Sequence, residues 1–555
     1  MKKRNKTLAI YGIHDLDNKS YPVIIHDHNV TLFQDGKILK NVQLERITRK
    51  KYDHRLPLYL YELLSEENLL GDKDVDLVFV DHLIGRAFQN KKGNIRFEAP
   101  LTNELMNKPE TGVCYYLDGM KEAYAVNHEL AHVYSNLPFS GDFKENSLHV
   151  HFDGGASKSN FSSWFFKNGQ MNLLESHWEL NYLSSLFNSN ALNFSIIGVK
   201  QPDQNSMPGK FMGFSSYGSY DPKIEQWLKK NDYFQSIWKN KHYFFDKLKK
   251  DWNISLNSFD QRNEFIQNIA ATVQHIFQRD LFYKLKELKE RTQAKYLYYS
   301  GGSALNIKAN TYLCESRLFE DVYIPPCTND SGLSIGAGAL VEWMKHGKVE
   351  KHGPYLNNWQ LKEQTFSYDQ EMIETVSAHL LKGRVIGVCN GFGESGPRAL
   401  GNRSILALAG SKEKADYVSR KLKGREWYRP IAPIMLSKNL EYFTGSTEFS
   451  SLAKFMLRDF HIKTDRAKEI EGVVHVDGTS RIQIIQERAE NPFIYDLLTY
   501  LDQNHQVKAL INTSFNAKGR PIVHTEQDAL DEANEMGLEM VVMNGRLVQI
   551  SSQRD

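Results

Sequence analysis

Two groups of residues have side-chain types and spacings that can do chemistry. The first begins at NHELAH, where His128 and His132 stand at i and i+4. On a helix that spacing puts both imidazoles on one face, within reach of a single cation. Asp153 ends the alternating run of Leu148, Val150 and Phe152, the strand-end position at which α/β proteins turn carboxylates toward ligands. Asp330 stands in CTNDSGLSIGAGAL, a loop that enters a helix of small residues. Two imidazoles and two carboxylates make a mixed nitrogen–oxygen set suited to a borderline divalent ion such as Fe²⁺, Zn²⁺ or Mn²⁺. The string HELAH also matches the HExxH pattern of zinc peptidases, with Glu129 as general base. The metzincin continuation needs glycine at 135 and histidine at 138, and the chain has Ser135 and Pro138 there. A peptidase is therefore the weaker reading.

The second group is cationic. ESGPRALGNRS (394–404) sets Arg398 and Arg403 among glycines, a proline and small polar residues. KGREWYRPIAP adds Lys423, Arg425 and Arg429, and HVDGTSRIQ adds Arg481. Guanidinium forks bind phosphate bidentately and lysine adds a point charge, so loops of this kind predict an anion pocket. INTSFNAKGRPIV contributes Asn512, Thr513, Ser514 and Asn516 as short polar donors at a strand end. DGGAS (153–157) and SGGSALN (300–306) are glycine loops after strands, where backbone N–H groups can cradle phosphate or approach a ribose.

The elements that must position these groups read as a strand–helix alternation. Residues 22–34 predict strand, polar turn and strand around His26-Asp27-His28-Asn29, and Asp35-Gly36 predicts a hairpin. Val75–Val80 reads as a buried strand. Phe265, Ile269, Val273, Ile276, Phe277 and Leu281 fall at helical spacing within a long amphipathic helix over 260–290, which leads into the strand YLYYSGG. Residues 345–365 are polar and aperiodic and predict a linker, after which Val385–Val388 restart the pattern. The fold class is α/β with mixed sheets, and no internal repeat is visible.

With 555 residues, two to four domains of about 100–200 residues each are expected. Sixty-nine Lys and Arg against 67 Asp and Glu leave a net charge of +2, which argues against bulk nucleic-acid binding. Cys114, Cys314, Cys327 and Cys389 are dispersed and form no disulfide framework, which points to a reducing, cytoplasmic setting. MKKRNKTLAIYGIHDLD reads as a charged leader into a first strand, and no run of about 18 apolar residues predicts a membrane span.

ESGPRALGNRSIL, REWYRPIAP, HVDGTSRIQ and NTSFNAKGRPIV together resemble the NodU/CmcH family of O-carbamoyltransferases. HDHNVTLFQDGKIL, ERITRKKYDHRLP, NHELAH, PGKFMGFSSYG, SGGSALN and NDSG agree with it in order, so the resemblance spans about residues 8–550. It implies two fused modules: residues 1–355 an ASKHA-type α/β domain similar to the tRNA threonylcarbamoyladenosine transferase, and residues 356–555 a YrdC-like α/β domain. The second would join carbamoyl phosphate and ATP, with Mg²⁺, into carbamoyl-adenylate with release of pyrophosphate. The intermediate would pass through an internal channel to the first, which would give the carbamoyl group to a hydroxyl of a small acceptor, a natural product or a sugar. Arg398, Arg403, Lys423, Arg425, Arg429 and Arg481 would then neutralise phosphates, Asn512 and Ser514 would hydrogen-bond the carbamoyl end, and Asn516 would be a further binding residue. Gly301, Gly302 and Asn306 would hold the adenosine. The ion on His128, His132, Asp153 and Asp330 would be Fe²⁺ by resemblance, and His26 the base for the acceptor's proton.

Three positions depart from the family. Glu129 replaces a usual histidine, Val133 replaces an alanine, and the loop after Asp153 reads GGASKSN. A tRNA-modifying transferase is the alternative reading, disfavoured by the balanced charge; a non-catalytic scaffold and a homodimer are also compatible with the chain. The acceptor is expected to be set by the aromatic-rich stretch 160–260, including Trp178, Tyr182, Trp227 and Trp238.

Overall fold

The structure, a computed structural model, describes residues 6–12, 26–72, 74–82, 87–99, 106–183, 191–199, 204–234, 241–256, 258–362, 366–447 and 450–550. The charged leader before Lys6, residues 22–25 of the first predicted strand pair, and Trp238 lie outside these.

Three large sheets carry the α/β architecture. The first has the order Lys37–Gln43, Asn29–Gln34, Lys6–Tyr11, Val75–Val80, Gly119–Val126, then Glu110–Tyr116, Ile95–Glu98 and Ala87–Gln89. Its first three strands are antiparallel, whereas Lys6–Tyr11, Val75–Val80 and Gly119–Val126 run parallel. The second sheet has the order Gln170–His177, Phe161–Lys167, Ser147–Phe152, Tyr296–Ser300 and Asp321–Tyr323, again antiparallel on one side and parallel on the other. The two sheets thus repeat one topology, the arrangement implied for an ASKHA-type half. The repeat escapes sequence comparison because it lies in strand order and direction, with different insertions in each copy. A seven-stranded mixed sheet between Ile386 and Gln549 forms the rest.

Local chemistry explains the elements near the site. These central strands are buried, so Val75–Val80 and Ile386–Cys389 are apolar almost throughout. Asp35 and Gly36 both have positive φ (51° and 82°), as a two-residue hairpin turn requires. The predicted long helix is Glu264–Thr292, capped by the Asn263 side chain on the Ile266 N–H. Helix His128–Tyr134 is capped by Asn127 on the Leu130 N–H and is buried at every residue. It lies against Leu333–His346 so closely that a Cβ on Gly336 would come within 1.8 Å of the Ala131 carbonyl oxygen. The small residues of GLSIGAGAL are therefore what let the two histidines approach Asp330.

The stretch read as a linker is not a free tether. Asn357 bridges Asn41 on one side and Gly393 on the other, and its Oδ1 accepts the Gln43 N–H at 2.9 Å. Trp359 is fully buried, its indole N–H donating to the Leu63 carbonyl, while its own carbonyl lies 2.7 Å from His524 Nε2. Polar, aperiodic sequence looked like solvated chain because its amides pair with backbone from both flanks rather than with one another.

Candidate active site

The structure brings the four predicted metal-ligating side chains together. His128 Nε2 and His132 Nε2 face each other at 3.1 Å. Asp330 Oδ1 lies 3.6 Å from the first and 3.4 Å from the second, and Asp153 Oδ2 lies 3.5 Å from His132 Nε2. Two nitrogens about 2.1 Å from one ion at a right angle are about 3.0 Å apart, so the donor set fits a divalent cation. Buried Nδ1 atoms of both histidines find no hydrogen-bond partner among the described residues, so neither ring is oriented from behind as metal-bound imidazoles usually are. The order comes from the carboxylates instead. Tyr11 donates to Asp330 Oδ2 at 2.9 Å, Asn29 donates to the Asp330 carbonyl at 2.8 Å, and the Gly302 N–H donates to Asp153 Oδ2 at 2.7 Å.

His26 stands at the rim, with Nδ1 3.0 Å from Asp27 Oδ2 and 3.9 Å from Asp330 Oδ2. Burial would lower its pKa, but the Asp330 and Asp27 carboxylates outweigh that and push it up to about 10. In the ion-free molecule it is an imidazolium, so the base role expected of it requires the charge of Asp330 to be neutralised first.

The glycine loops serve the same centre. Gly301 has φ of 99° and sits so close to the Phe152 backbone that a Cβ would reach within 2.2 Å of its carbonyl oxygen. Gly302 faces the Asp153 carboxylate, and Asn306 caps helix Ile307–Glu315 by accepting the Ala309 N–H. The Gly302 N–H thus holds the Asp153 carboxylate, Gly301 packs on the backbone of the residue before it, and Asn306 has an intramolecular task of its own. Glu129, the departure from the family pattern, accepts the Lys158 and Ser159 N–H groups at 2.6 and 2.9 Å and pins the loop that follows Asp153. A carboxylate held this way is a loop anchor and not the free general base a peptidase needs.

The cationic residues divide into two sets. Arg398, Arg425, Arg429 and Arg481 form one cluster drawn from three loops. Burial first, then neighbouring guanidiniums, pushes Arg398 down to about 10 and Arg425 to about 9, and drives Arg481 well below the usual arginine range. The buried Nε atoms of Arg398 and Arg481 have no hydrogen-bond partner among the described residues. Arg403 does not join them. Its guanidinium donates to the carbonyls of Asn390, Gly391, Asn402 and His524, so it is scaffold for the loop. Lys423, delivered by the π-helical turn Tyr417–Leu422, donates to the carbonyls of Ser514 and Asn516 and to Asn516 Oδ1, tying that loop to the cluster. Burial, Arg425 and Arg429 push its ammonium well below the usual lysine range. Asn512 donates to Gln483 and the Ala399 carbonyl, while its buried Oδ1 has no partner among the described residues.

The two clusters adjoin. Gly396 (φ 100°) lies against the Pro326 carbonyl, with 2.1 Å for an added Cβ, so the loop carrying Arg398 touches the segment that leads to Asp330. Tyr52 stands between them: its ring is 6.4 Å from that of His26, and it acts electrostatically on Arg398. Sequence reasoning missed several participants. Tyr11 gave no signal on an apolar strand, and Glu394, whose Oε1 accepts the N–H groups of Leu400, Asn402 and Arg403, was hidden by its arginine neighbours. His151 was legible, because it lies two residues from Asp153 on a strand and so shares its face.

An α/β molecule with a His/Asp cluster beside a group of arginines can hold a cation and an anion side by side. The chain belongs to the carbamoyltransferase family: the model described as Carbamoyltransferase N-terminus matches residues 20–339 and that described as Carbamoyltransferase C-terminus matches residues 377–550. Carbamoyl transfer is accordingly its activity. It is 26% identical over 560 residues to the nodulation protein NolNO of Sinorhizobium fredii, covering 95% of this chain and 79% of that one. It is 29% identical over 437 residues to nodulation protein U of Azorhizobium caulinodans, covering 72% and 73%. A solved structure of full-length HypF in phosphate- and nucleotide-bound form overlaps 62% of this chain and 56% of that one at 12% identity. Its TM-score of 0.32 is too low to bear on fold or function. No helix among the described residues is long and apolar enough to cross a membrane.

Proposed function

We propose that the chain is an ATP-dependent O-carbamoyltransferase acting on a hydroxyl of a small molecule. Residues 356–555 would form carbamoyl-adenylate from carbamoyl phosphate and MgATP, and residues 1–355 would pass the carbamoyl group to the acceptor. The observation that carries this reading is the arginine cluster. Burial and the proximity of these guanidiniums to one another lower the pKa of Arg398, Arg425 and Arg481, and the nearby carboxylates Glu426 and Asp459 are too few to neutralise the four arginines. Like charges gathered in a secluded pocket call for an anion of several charges, as a triphosphate and a carbamoyl phosphate together provide.

In this reading the guanidiniums neutralise the phosphates so that an oxygen bound to the carbamoyl carbon can bond to the α-phosphorus. Water takes the phosphoryl group of carbamoyl phosphate as inorganic phosphate, the carbamate left behind supplies that oxygen, and pyrophosphate departs from ATP. Asn512 and Ser514 orient the carbamoyl end, and Lys423 keeps their loop in register. A divalent ion held by His128, His132, Asp153 and Asp330 would supply Lewis-acid polarisation of the carbamoyl carbonyl. His26, released from its pairing with Asp330, would take the proton of the acceptor hydroxyl. Contact between the Gly396 loop and Pro326 shortens the path between the sites and shields a hydrolysable intermediate from water.

The test is to incubate the purified chain with carbamoyl phosphate and MgATP without acceptor. Pyrophosphate release dependent on carbamoyl phosphate, lost in Arg429→Ala, is expected. Release of AMP and phosphate without pyrophosphate would refute adenylate formation.

A further inference from the structure

The quartet does not exhaust the donors at this point of the fold. His82 follows the strand Val75–Val80, and His151 is the penultimate residue of Ser147–Phe152; both are buried. Their ring nitrogens complete two compact triads, His82 with His128 and Asp330, and His132 with His151 and Asp153. The donor atoms within each triad lie within 4.8 Å of one another. A single ion between His128 and His132 leaves the two nitrogens of His151 unmet among the described residues, whereas dividing the donors into two triads engages one of them.

His151 is the informative member. It is 0% exposed, its ring stacks on that of His132 at 5.1 Å between centroids, and neither of its nitrogens has a hydrogen-bond partner among the described residues. A buried imidazole with both polar atoms unmet is unfavourable by about 1–3 kcal/mol per atom, and native interiors tolerate this where an ion or water meets the group.

We propose that the centre holds two divalent cations, one on His82, His128 and Asp330 and the other on His132, His151 and Asp153. Asp330 lies between them, its Oδ1 being 3.6 Å from His128 Nε2 and 3.4 Å from His132 Nε2. Paired ions in such centres are about 3.5–4 Å apart, a separation compatible with two imidazole nitrogens that face each other at 3.1 Å and each serve their own ion. The proposal rests on reading the quartet as a metal centre and divides its donors, joined by His82 and His151, between two positions.

The full-length chain, stripped of metal and reloaded separately with Mn²⁺, Fe²⁺ and Zn²⁺, would be desalted and its metal content measured by mass spectrometry, with electron paramagnetic resonance on the Mn²⁺ form. About two ions per chain and an exchange-coupled Mn²⁺ spectrum are expected. His151→Phe keeps the ring stack without the nitrogens; it should fall to about one ion and an uncoupled spectrum, with an unchanged circular dichroism spectrum. His82→Phe should lose the other. About one ion per chain in the wild type, unaltered by His151→Phe, overturns the second position and leaves the quartet standing. No ion retained with any of the three metals overturns both.

Discussion

Burial and crowding by like charges disfavour the cationic forms of Arg398, Arg425 and Arg481, and this has consequences for stability as well as catalysis. A folded-state pKa of about 9 for Arg425 lies below its unfolded value, so its cationic form is disfavoured by folding. That penalty is complete below pH 9 and is relieved as pH climbs from about 9 toward the ordinary arginine range. Pyrophosphate or sulfate should therefore raise Tm by several degrees at pH 7 and by less at pH 10, as differential scanning fluorimetry would record. Arg429→Ala should lower pyrophosphate release by roughly 100-fold or more without lowering the Tm of the ligand-free protein. A fall in that Tm would mean that the arginine is structural, as Arg403 is. Glu394 sets the opposite expectation. It is buried and accepts three backbone N–H groups, so Glu394→Ala should cost about 3 kcal/mol in chemical denaturation and disorder the loop bearing Arg398.

Among the elements, the contact between helix His128–Tyr134 and helix Leu333–His346 decides whether the imidazoles and Asp330 can meet. Gly336→Ala would place a methyl group 1.8 Å from the Ala131 carbonyl oxygen, and the helices must separate to admit it. Metal content should fall at least several-fold while carbamoyl phosphate-dependent pyrophosphate release persists, because the arginine pocket is built on other elements. Unchanged metal content in a folded Gly336→Ala protein would show that the helix spacing does not set the site. The loop after Asp153 depends on Glu129 in a similar way, and there the departure from the family pattern exchanges an imidazole for a carboxylate that fastens the loop.

On the scale of the molecule, the N-terminal sheets and the C-terminal sheet are joined by more than the chain between them. Arg46 donates to the Gly396 carbonyl at 2.9 Å, Arg49 to the Ile522 carbonyl at 2.7 Å and to Glu532 at 3.0 Å, and Lys308 pairs with Asp477. Burial would raise the Asp477 carboxyl, but His475, Lys308 and Thr479 hold it well below the usual carboxylate range. A depressed folded value contributes stability above about pH 4, which is lost as pH falls below it. Lys308→Met should therefore destabilise the protein by about 1–2 kcal/mol at pH 7, with the difference from wild type shrinking toward pH 3. A difference that persists undiminished in acid would assign the loss to packing instead of the ion pair.

Much of this was legible in the chain. Strand and helix periodicity, the Asp-Gly hairpin and the i, i+4 histidines are local patterns, and a local pattern is written in neighbouring residues. The grouping of arginines by loop was equally plain, because glycine and proline around a guanidinium mark it as placed and not merely solvated. Which arginines would meet was not. Arg403 and Arg398 stand five apart in one motif, yet the Arg403 guanidinium faces backbone carbonyls while Arg398 joins the other arginines, a choice in which the His524 carbonyl, from a distant loop, takes part. The ordered passage 356–359, the repeat of sheet topology, the place of Tyr52 and the approach of His82 to the predicted quartet likewise depend on contacts between residues far apart in sequence. Sequence alone determined the family, the fold class and the kinds of chemistry available. Only the tertiary structure decided which side chains share a site, because convergence depends on how helices and sheets stack, and that is set by the whole packed interior.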